Sequence, residues 1–447
     1  MIINVAGAGA GKTTGLAKEI IDKYEKTDSN KKIYCVAFTN NAVKSIIEKL
    51  LIYFDMIPNN IIVCTIHSFL YQEFISPYYY IIHDKHYGTI STIELPSKAQ
   101  FKNYKLAELD KKCILHIESI PEKAKWVVVK KSNEKSIHKT RRNIVLEVFK
   151  SYCQTVFVDE AQDIDGHMKE IFEKLDSEGI EIVLKGDPKQ DIRGRGCFRE
   201  LIQSRPQSVV YDATCHRCPA NHLKITNSLI ASDERQTSEK NGGIIDVVFE
   251  SSCNMNSLLS SVYDLKYIYQ KNDRFETHST ASHTLSRFDT LYYEIDSVLT
   301  ESIPDPQIRE IRAYNYTQGM ISWQNQGKNE NQIMNRLMSR TGTLSKQQYA
   351  KVKGALCIEQ HHETNKYQVS SIESIKGLEG ECCLFILTSD LAAYLFGDKT
   401  EENKVKNALY VALTRSKEKL VILVCKEVEA VYNKTIINSY FSKFTSN

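Results

Sequence analysis

The feature that most constrains this sequence is a glycine- and alanine-rich loop between a short apolar run and a helical pattern. Residues 2–5 predict a buried strand, and residues 15–21 have helical spacing. Strand, small-residue loop, Gly-Lys-Thr and helix together indicate a phosphate-binding P-loop, because small residues let backbone N–H groups wrap an anion at a helix N-terminus. The alternative is a flexible turn that contains Gly-Lys-Thr by chance. The loop residues predicted to bind nucleotide are Ala6, Gly7, Ala8, Gly9, Ala10, Gly11, Lys12, Thr13 and Thr14.

Two positions in the loop and two acids further along predict ATP and Mg²⁺ chemistry. Lys12 is expected to reach the β- and γ-phosphates, and the hydroxyl of Thr13 to ligate Mg²⁺. Residues 155–158 form an apolar, β-branched run that ends at Asp159 and Glu160. We expect Asp159 to hold the Mg²⁺ shell and Glu160 to orient and deprotonate the attacking water. The alternative is an acidic pair in the first turn of a helix.

The wider motif series resembles the UvrD/Rep group of superfamily 1 DNA helicases. Asp-Glu-Ala-Gln-Asp at 159–163 is similar to the Walker B form of that group, and six more segments follow the family order. Each segment alone is a weak to moderate signal, but seven in order are strong. The six segments are Val-Ala-Phe-Thr-Asn-Asn-Ala at 36–42, Thr-Ile-His-Ser-Phe at 65–69, Gly-Asp-Pro-Lys-Gln at 186–190, Cys-His-Arg-Cys-Pro at 215–219, Ser-Ile-Lys-Gly-Leu-Glu-Gly at 374–380, and Ala-Leu-Tyr-Val-Ala-Leu-Thr-Arg-Ser at 408–416.

The resemblance implies roles for five further residues around the nucleotide. Gln190 would sense the γ-phosphate and couple it to the DNA side. Arg217 and Arg415 would act as arginine fingers, which neutralise charge in the transition state. Glu379 would accept a hydrogen bond from the ribose, and His216 would stack on the adenine. The alternatives are surface salt bridges for the two arginines and a helix-capping or half-buried histidine for His216.

The same resemblance, together with one charge pattern, predicts a single-stranded or tailed DNA partner. Phe38, Thr39, Asn40 and His67 lie in the segments that contact DNA in the family. Arg193 replaces a tyrosine in the family's base-stacking stretch. Residues 123–142 interleave basic residues with Trp126, a pattern that suits a phosphate backbone with base stacking. The alternative is a solvated helix face. The basic residues are Lys123, Lys125, Lys130, Lys131, Lys135, Lys139, Arg141 and Arg142.

The chain organisation predicts an α/β protein with two tandem RecA-like P-loop NTPase domains, each with an inserted subdomain. Short strands alternate with helical stretches, which favours parallel sheets. We expect one domain over residues 1–213 with an insertion at about 71–149. The second would cover 214–447, with a reduced insertion at about 276–351. The predicted strands are 2–5, 33–38, 61–64, 155–158, 182–184, 244–249, 355–358, 369–372, 383–387 and 420–424.

Departures from the family pattern leave two functions open. The residues after Gln190 are one position short with Arg193 in place of the tyrosine, and Glu373 stands where relatives have histidine. Both changes, and the reduced second insertion, lie on the DNA side. One hypothesis is an ATP-dependent DNA translocase or helicase, 3′→5′ by resemblance. The other is a nucleotide-gated regulatory ATPase that controls a partner nuclease, since the compact build resembles the UvrD-like component of the Gabija anti-phage system.

The composition argues against several classes of protein but gives little direct indication of function. The 447 residues are 42% hydrophobic and 25% charged, with a net charge of +3. No apolar run approaches the roughly 20 residues needed to span a bilayer. The first residues lack the basic segment of a secretory signal, so we expect a cytoplasmic protein with reduced cysteines and no membrane partner. Cys215-x-x-Cys218 lacks a second pair at suitable spacing, which argues against zinc. Relatives also carry a glutamine-containing segment ahead of the P-loop, which reads the edge of the adenine base. Because this sequence has only one strand before the loop, we expect the phosphates of the nucleotide to be recognised more strictly than the base.

Overall fold

The structure, a computed structural model, describes residues 1–26, 30–96, 98–131, 134–278, 287–300, 302–356 and 366–445. The chain divides into two compact units. The first comprises Met1–Thr92, Asn103–His278 and Gln368–Asn447, and the second comprises Ile93–Lys102 and Ser279–Tyr367. Among the described helices, we find none with the length and apolar character that a membrane crossing requires.

The described strands are β1 (Ile2–Ala6), β2 (Lys32–Ala37), β3 (Ile61–Thr65), β4 (Thr89–Ser91), β5 (Ile114–His116), β6 (Cys153–Val158), β7 (Glu181–Gly186), β8 (Val209–Asp212), β9 (Thr214–Cys215), β10 (Thr237–Ser238), β11 (Ile244–Phe249), β12 (Leu265–Ile268), β13 (Phe275–His278), β14 (Tyr367–Ser371), β15 (Gly380–Leu387) and β16 (Ser416–Val424).

The described α-helices are α1 (Lys12–Glu25), α2 (Asn40–Leu50), α3 (Ile66–Leu70), α4 (Ser76–His83), α5 (Ala99–Lys111), α6 (Ile120–Val128), α7 (Ser136–Tyr152), α8 (Gly166–Ser177), α9 (Cys197–Ser204), α10 (Ala220–Leu229), α11 (Met255–Ser260), α12 (Arg287–Leu299), α13 (Pro306–Asn325), α14 (Glu330–Thr341), α15 (Lys346–Leu356), α16 (Ser389–Leu395), α17 (Lys404–Leu413) and α18 (Lys426–Thr445).

The first sheet has the strand order β3-β2-β6-β7-β1-β8, and every pairing in it is parallel. All five strands predicted from apolar runs in this region are present. The sixth, β8, was not predicted, because it is an edge strand of four residues whose apolar run, Val-Val-Tyr, is too short to identify a strand. The parallel arrangement places the carboxyl ends of all six strands at one edge of the sheet.

Helices cover both faces of this sheet. In β2, Tyr34 and Val36 join the core formed with α3, α4 and α6–α9, while Ile33 and Cys35 face the core formed with α1 and α2. The alternation of side chains along the strand therefore divides the core into two layers. Phe149, at the end of α7, is 4.9 Å from Phe74 between ring centroids and lies in the same core as Tyr34. The segment between residues 71 and 149 thus shares its core with the first sheet.

The second sheet has the order β11-β16-β15-β12-β14-β13, and its described pairings β11–β16–β15–β12–β14 are parallel. The α/β class with parallel sheets in both halves of the chain is confirmed. The strands β12 and β13 were missed, since each has only four residues and lacks a long apolar run.

The second unit contains α12–α15 around a small apolar core of its own. Buried Leu291, Ile295 and Leu299 recur at helical spacing along α12. The predicted strand at 355–358 is wrong where it is described, because Ala355 and Leu356 end helix α15 and pack into this core. Their apolar run reads as a strand in isolation but continues the helical spacing from Val352; residues 357 and 358 lie outside the described residues.

Candidate nucleotide-binding site

Three loops that carry predicted site residues meet at the carboxyl edge of the first sheet. The loop 7–11 follows β1, the acids at 159 and 160 follow β6, and the segment 187–190 follows β7. These three strands are neighbours in the order β6-β7-β1. The sheet therefore brings together residues separated by almost 180 positions in the sequence.

The loop after β1 has the backbone conformation that its glycines allow. Gly9 and Gly11 have φ values of 74° and 71°, in the left-handed region that favours glycine. Helix α1 begins at Lys12, whose ammonium donates to the carbonyls of Ala6 and Gly7 at 3.2 Å each. Lys12 therefore folds back into the loop, where its charge lies at a helix N-terminus suited to phosphate. Thr14 accepts a hydrogen bond from Lys49 at 2.5 Å.

The oxygen ligands predicted for Mg²⁺ lie together. Thr13 Oγ1 is 3.5 Å from Asp159 Oδ2, and Asp159 is 2% exposed. A hydroxyl and a carboxylate at the mouth of a phosphate loop are hard oxygen donors of the kind Mg²⁺ takes alongside substrate phosphates. The residues therefore fit this ion. Burial and the neighbouring Glu160 raise the pKa of Asp159 to about 6.

The pKa of Glu160 is shifted in the opposite direction to that of Asp159. Its burial favours the neutral acid, but the charges of Lys12 and Lys376 outweigh that effect and leave the pKa of Glu160 lowered. Glu160 has a φ of 54°, a left-handed conformation that is uncommon for a residue with a long side chain. Its amide donates to Asp159 Oδ1 at 3.0 Å, so the turn holds the two acids side by side. Glu160 is therefore ionised and able to accept a proton.

A chain of amide and carboxylate groups links these acids to Gln190. Gln162 donates to the carboxylate of Glu160 and accepts from the amide of Asp187 at 3.0 Å. Asp187 in turn accepts from the side-chain amide of Gln190 at 3.0 Å. Gln162, Asp187 and Gln190 are buried, with Gln190 4% exposed, and Glu160 is half-buried. The sequence motifs contained Gln162 and Asp187, but their positions alone did not reveal that they form this link.

The two predicted arginines lie in the C-terminal part of the first unit. This part, residues 214–278 and 368–447, is here called the second half. Arg217 donates from Nε to Glu379 at 2.6 Å and from Nη1 to the carbonyl of Thr414 at 3.3 Å. Glu379 also pairs with Lys417 at 2.8 Å. Burial raises the pKa of Glu379, but Lys417 and Arg217 outweigh it and leave the pKa lowered. In this structure the predicted ribose acceptor is thus held by two cations.

Arg415 is 1% exposed and donates to the carbonyls of Val411 and Leu378 at 3.0 and 3.1 Å, and to the hydroxyl of Thr414 at 3.2 Å. Burial and the nearby charge of Arg217 lower its pKa to about 10, so the guanidinium stays protonated at neutral pH. Both Arg415 and Glu379 directly precede strands of the second sheet. The site therefore combines the carboxyl edge of the first sheet with residues at the amino ends of β15 and β16.

Backbone contacts bring this second half against the P-loop. The amide of His216 donates to the carbonyl of Gly9 at 2.9 Å, and a Cβ at Gly9 would lie 2.4 Å from Cβ of Arg217. His216 itself is half-exposed and its Nδ1 is 2.6 Å from Glu239. The close approach explains why the loop needs a glycine at this position. It also places His216 and Arg217 beside the predicted phosphate site.

Two residues without a predicted role complete the contact. The amide of Ala8 donates to the hydroxyl of Tyr410 at 3.0 Å, and that hydroxyl donates to Gln236 Oε1 at 2.9 Å. Gln236 Nε2 donates back to the carbonyl of Ala8 at 3.1 Å. Tyr410 stood in a recognised motif without an assigned role. Gln236 stands in no motif, and no sequence signal could have identified it.

Comparison with known proteins gives two sequence similarities. Residues 1–195 match the AAA domain family. The chain is also 30% identical to Gabija protein GajB of Bacillus cereus (strain VD045) over 250 residues, which covers 54% of this chain and 48% of that protein. The chain thus spans about half the length of this curated relative. These matches confirm the resemblance inferred from the motifs.

Among solved structures, one described as "The structure of PRRSV helicase" overlaps 94% of this chain and 52% of that one. The identity is 10% and the TM-score 0.36. The two structures are therefore only remotely similar.

Most of the predicted DNA-side residues lie at the ends of β2, β3 and β7. Phe38 is half-buried after β2, while Thr39 and Asn40 are exposed, with the hydroxyl of Thr39 capping α2. His67 lies in α3 after β3, and burial is the main cause that lowers its pKa. Arg193, after β7, is 55% exposed. Strand order β3-β2-β6-β7 places these residues along the same carboxyl edge as the P-loop.

Arg193 forms an ion pair at this edge of the sheet. Its Nε is 3.5 Å from the carboxylate of Glu373, which is 66% exposed. The two departures from the family pattern therefore form one ion pair between the segment after β7 and the second half. Nearby, Lys376 pairs with Asp163 at 2.7 and 2.8 Å, and both side chains are largely buried.

The basic run 123–142 is partly neutralised by acids within it and elsewhere in residues 1–195. Lys125 pairs with Glu170 at 3.0 Å and Lys123 with Asp110 at 3.6 Å, and Arg142 forms a buried pair with Glu134. Trp126 is half-buried in α6, with the ammonium groups of Lys125 and Lys131 4.3 and 4.8 Å from its ring. An aromatic ring flanked by two cations remains available at this surface, but the run has much less free charge than its composition suggests.

One other group of side chains has the spacing of metal ligands among the described residues. Glu250, Cys425 and Glu427 lie within 4.8 Å of one another. The guanidinium of Arg274 is 3.1 Å from Glu250 and 2.7 Å from Glu427. Because this cation already pairs with both carboxylates, we interpret the group as an ion-pair network that stabilises the fold.

Proposed function

We propose that this protein hydrolyses ATP between two domains, residues 1–213 and 214–447, and uses the reaction to move along single-stranded DNA. The observation that carries the proposal is the convergence of Lys12, Asp159, Glu160 and Gln190 with arginines of the second half around one phosphate loop. A site built from both halves gives hydrolysis a direct effect on their relative position. Movement in the 3′→5′ direction is proposed from the motif resemblance.

The proposed chemistry assigns one task to each side chain. The ammonium of Lys12 would leave the carbonyls of Ala6 and Gly7 and pair with the β- and γ-phosphates of ATP. Thr13 and Asp159 would hold Mg²⁺, which neutralises developing phosphate charge when bound. Glu160, kept ionised by the surrounding cations, would take a proton from the attacking water. The water oxygen would form a bond to the γ-phosphorus while the bond between the γ-phosphorus and the bridging oxygen of ADP breaks.

The second half would contribute in the transition state. Arg217 lies beside Gly9 of the loop, and Arg415 is near enough to Glu160 and Arg217 for their charges to interact. Both guanidinium groups would turn toward the transferred phosphoryl. Arginine fingers of this kind supply about 10³–10⁵ in rate. Gln190 would contact the γ-phosphate. The hydrogen bonds from Gln190 to Asp187, and through Gln162 to Glu160, would then link that contact to the catalytic base.

The first test is ATP hydrolysis by the full chain with single-stranded DNA, duplex DNA, RNA or no nucleic acid. We expect single-stranded DNA to stimulate turnover most, and Lys12→Ala to abolish it. Full activity in Lys12→Ala would refute the assigned mechanism. Equal turnover in all four conditions would refute the motor.

A second candidate is a regulatory ATPase that senses nucleotide and DNA and controls a partner nuclease without processive unwinding. It is favoured by the Arg193–Glu373 ion pair and by the partly neutralised basic run, both of which reduce the positive charge available to bind DNA. Similarity to Gabija protein GajB over half of that protein is compatible with this candidate. Strand displacement on a 3′-tailed duplex separates the two: unwinding by the protein alone supports the motor, and DNA-stimulated hydrolysis without unwinding supports the regulator.

A further inference from the structure

The short segment after α10, here called the coupling segment and defined as residues 232–238, lies between the two halves of the site. Its side chains alternate: Glu234 and Gln236 are 9% and 4% exposed, whereas Asp233 and Arg235 are exposed. An acid and an amide are costly to bury unless each finds partners, so their inward orientation points to specific contacts.

Gln236 makes those contacts at the P-loop. Its side-chain amide donates to the carbonyls of Ala8 and Thr214 at 3.1 and 3.3 Å, and its oxygen accepts from Tyr410. A Cβ at Gly7 would lie 2.1 Å from Cδ of Gln236, closer than any side chain could tolerate. The loop therefore has a glycine at position 7 where the glutamine enters.

Glu234, two residues earlier, makes its contacts beside Gln190. Its carboxylate pairs with Lys189 at 3.3 Å and with Arg199 at 2.9 Å. Lys189 is 3% exposed and also pairs with Asp187 at 3.0 Å, the residue that holds Gln190. One segment of the second half thus reaches both the phosphate loop and the neighbour of the γ-phosphate sensor.

The coupling segment is also fixed to the strand that precedes Arg217. β10 pairs with β9 in the register Thr237↔Thr214 and Ser238↔Cys215. Asn227 of α10 holds the backbone of Gln236 through both its amide and its carbonyl, at 3.0 and 2.8 Å. A displacement of the P-loop or of Lys189 would therefore be transmitted to the backbone that carries Arg217.

We propose that Glu234 and Gln236 are positioning residues that hold the P-loop and the Gln190 segment in register with the arginines of the second half. This inference rests on the proposed ATP hydrolysis. Neither residue needs to touch nucleotide. Their loss would misplace groups used in the transition state and leave the binding groups of the first half in place.

The test is steady-state ATP hydrolysis with single-stranded DNA for Gln236→Met, Gln236→Glu and Glu234→Gln. A displacement of about 1 Å from the productive geometry costs on the order of 100-fold, so we expect kcat to fall about 10- to 100-fold. The KM for ATP should change by less than about threefold, because ground-state binding is retained. Gln236→Glu keeps the size but sets a carboxylate against two carbonyls, so it should be as impaired as Gln236→Met. The matched control is Arg235→Gln, on the same segment with its side chain exposed, which should behave as the wild type.

Each outcome decides the proposal. Wild-type kcat in the three variants would overturn it while leaving ATP hydrolysis standing. A raised KM with unchanged kcat would assign the segment to binding and also overturn it. If the wild type itself hydrolyses no ATP, the proposed function fails, and hydrogen exchange with and without ATPγS decides the coupling. Slower exchange of residues 214–218 in the wild type, lost in Gln236→Met and retained in Arg235→Gln, would support the linkage; an identical response in all three would overturn it.

Discussion

Replacing Tyr410 by phenylalanine removes one buried oxygen from the contact between the two halves. The hydroxyl accepts from the amide of Ala8 at 3.0 Å and donates to Gln236 at 2.9 Å, and Tyr410 is 2% exposed. The variant keeps the ring and its packing. Both partners are left without this hydrogen bond as long as the halves remain in contact.

The expected magnitude follows from these two orphaned groups. A buried donor or acceptor without a partner costs about 1–3 kcal/mol, so the low end for two groups is about 2 kcal/mol. Water can reach both groups when the halves separate, so the cost falls on the closed arrangement that hydrolysis requires. At 1.4 kcal/mol for each factor of ten, kcat/KM for ATP should fall about 30-fold.

The assay is DNA-stimulated ATP hydrolysis with thermal unfolding of the same samples. Tyr267→Phe is the matched control: its buried hydroxyl donates to the carbonyl of Ala412 at 2.7 Å, within the second half only. That variant should lose thermal stability but retain kcat/KM. The reasoning is refuted if Tyr410→Phe keeps kcat/KM within about threefold of the wild type, or if both variants lose it equally.

Two other predictions concern charge. Because burial and Glu160 raise the pKa of Asp159 to about 6, its carboxylate is available above that pH and is lost as the pH falls through it. Mg²⁺ titrations should therefore show weaker binding at pH 5.5 than at pH 7.5, and equal affinities would contradict the ligand assignment. Glu373→Gln should free Arg193 for a phosphate and remove a like charge, so affinity for single-stranded DNA should rise about threefold with a steeper salt dependence. Unchanged affinity and slope in a salt titration would exclude this edge from the DNA path.

The elements that carry the phosphate site could be predicted because their signals are local. An apolar run next to Gly-Lys-Thr identifies β1, the P-loop and α1 within about twenty residues, and the run before Asp159 identifies β6 in the same way. Strand β8 could not be predicted. In the described part of the chain it is an edge strand beside β1, and its Val-Val-Tyr run is too short and too exposed to be distinguished from a loop.

Long-range pairing explains what the sequence did not reveal. Gln236 contacts Ala8 across 228 positions, and no local pattern marks a single glutamine in a loop. Arg193 and Glu373 each looked like an isolated departure, and only the fold shows them 3.5 Å apart. The charge of the run 123–142 was overestimated for the same reason, since Asp110 and Glu170 lie outside it.

The central claim is that this cleft hydrolyses ATP with Glu160 as the base, and Glu160→Gln tests it most directly. The variant should bind ATP with wild-type affinity, because Lys12, Thr13 and Asp159 are unchanged. Its DNA-stimulated turnover should fall about 10²–10⁴-fold, the usual contribution of a positioned base. Turnover at the wild-type rate in Glu160→Gln, with ATP binding intact, would contradict the account.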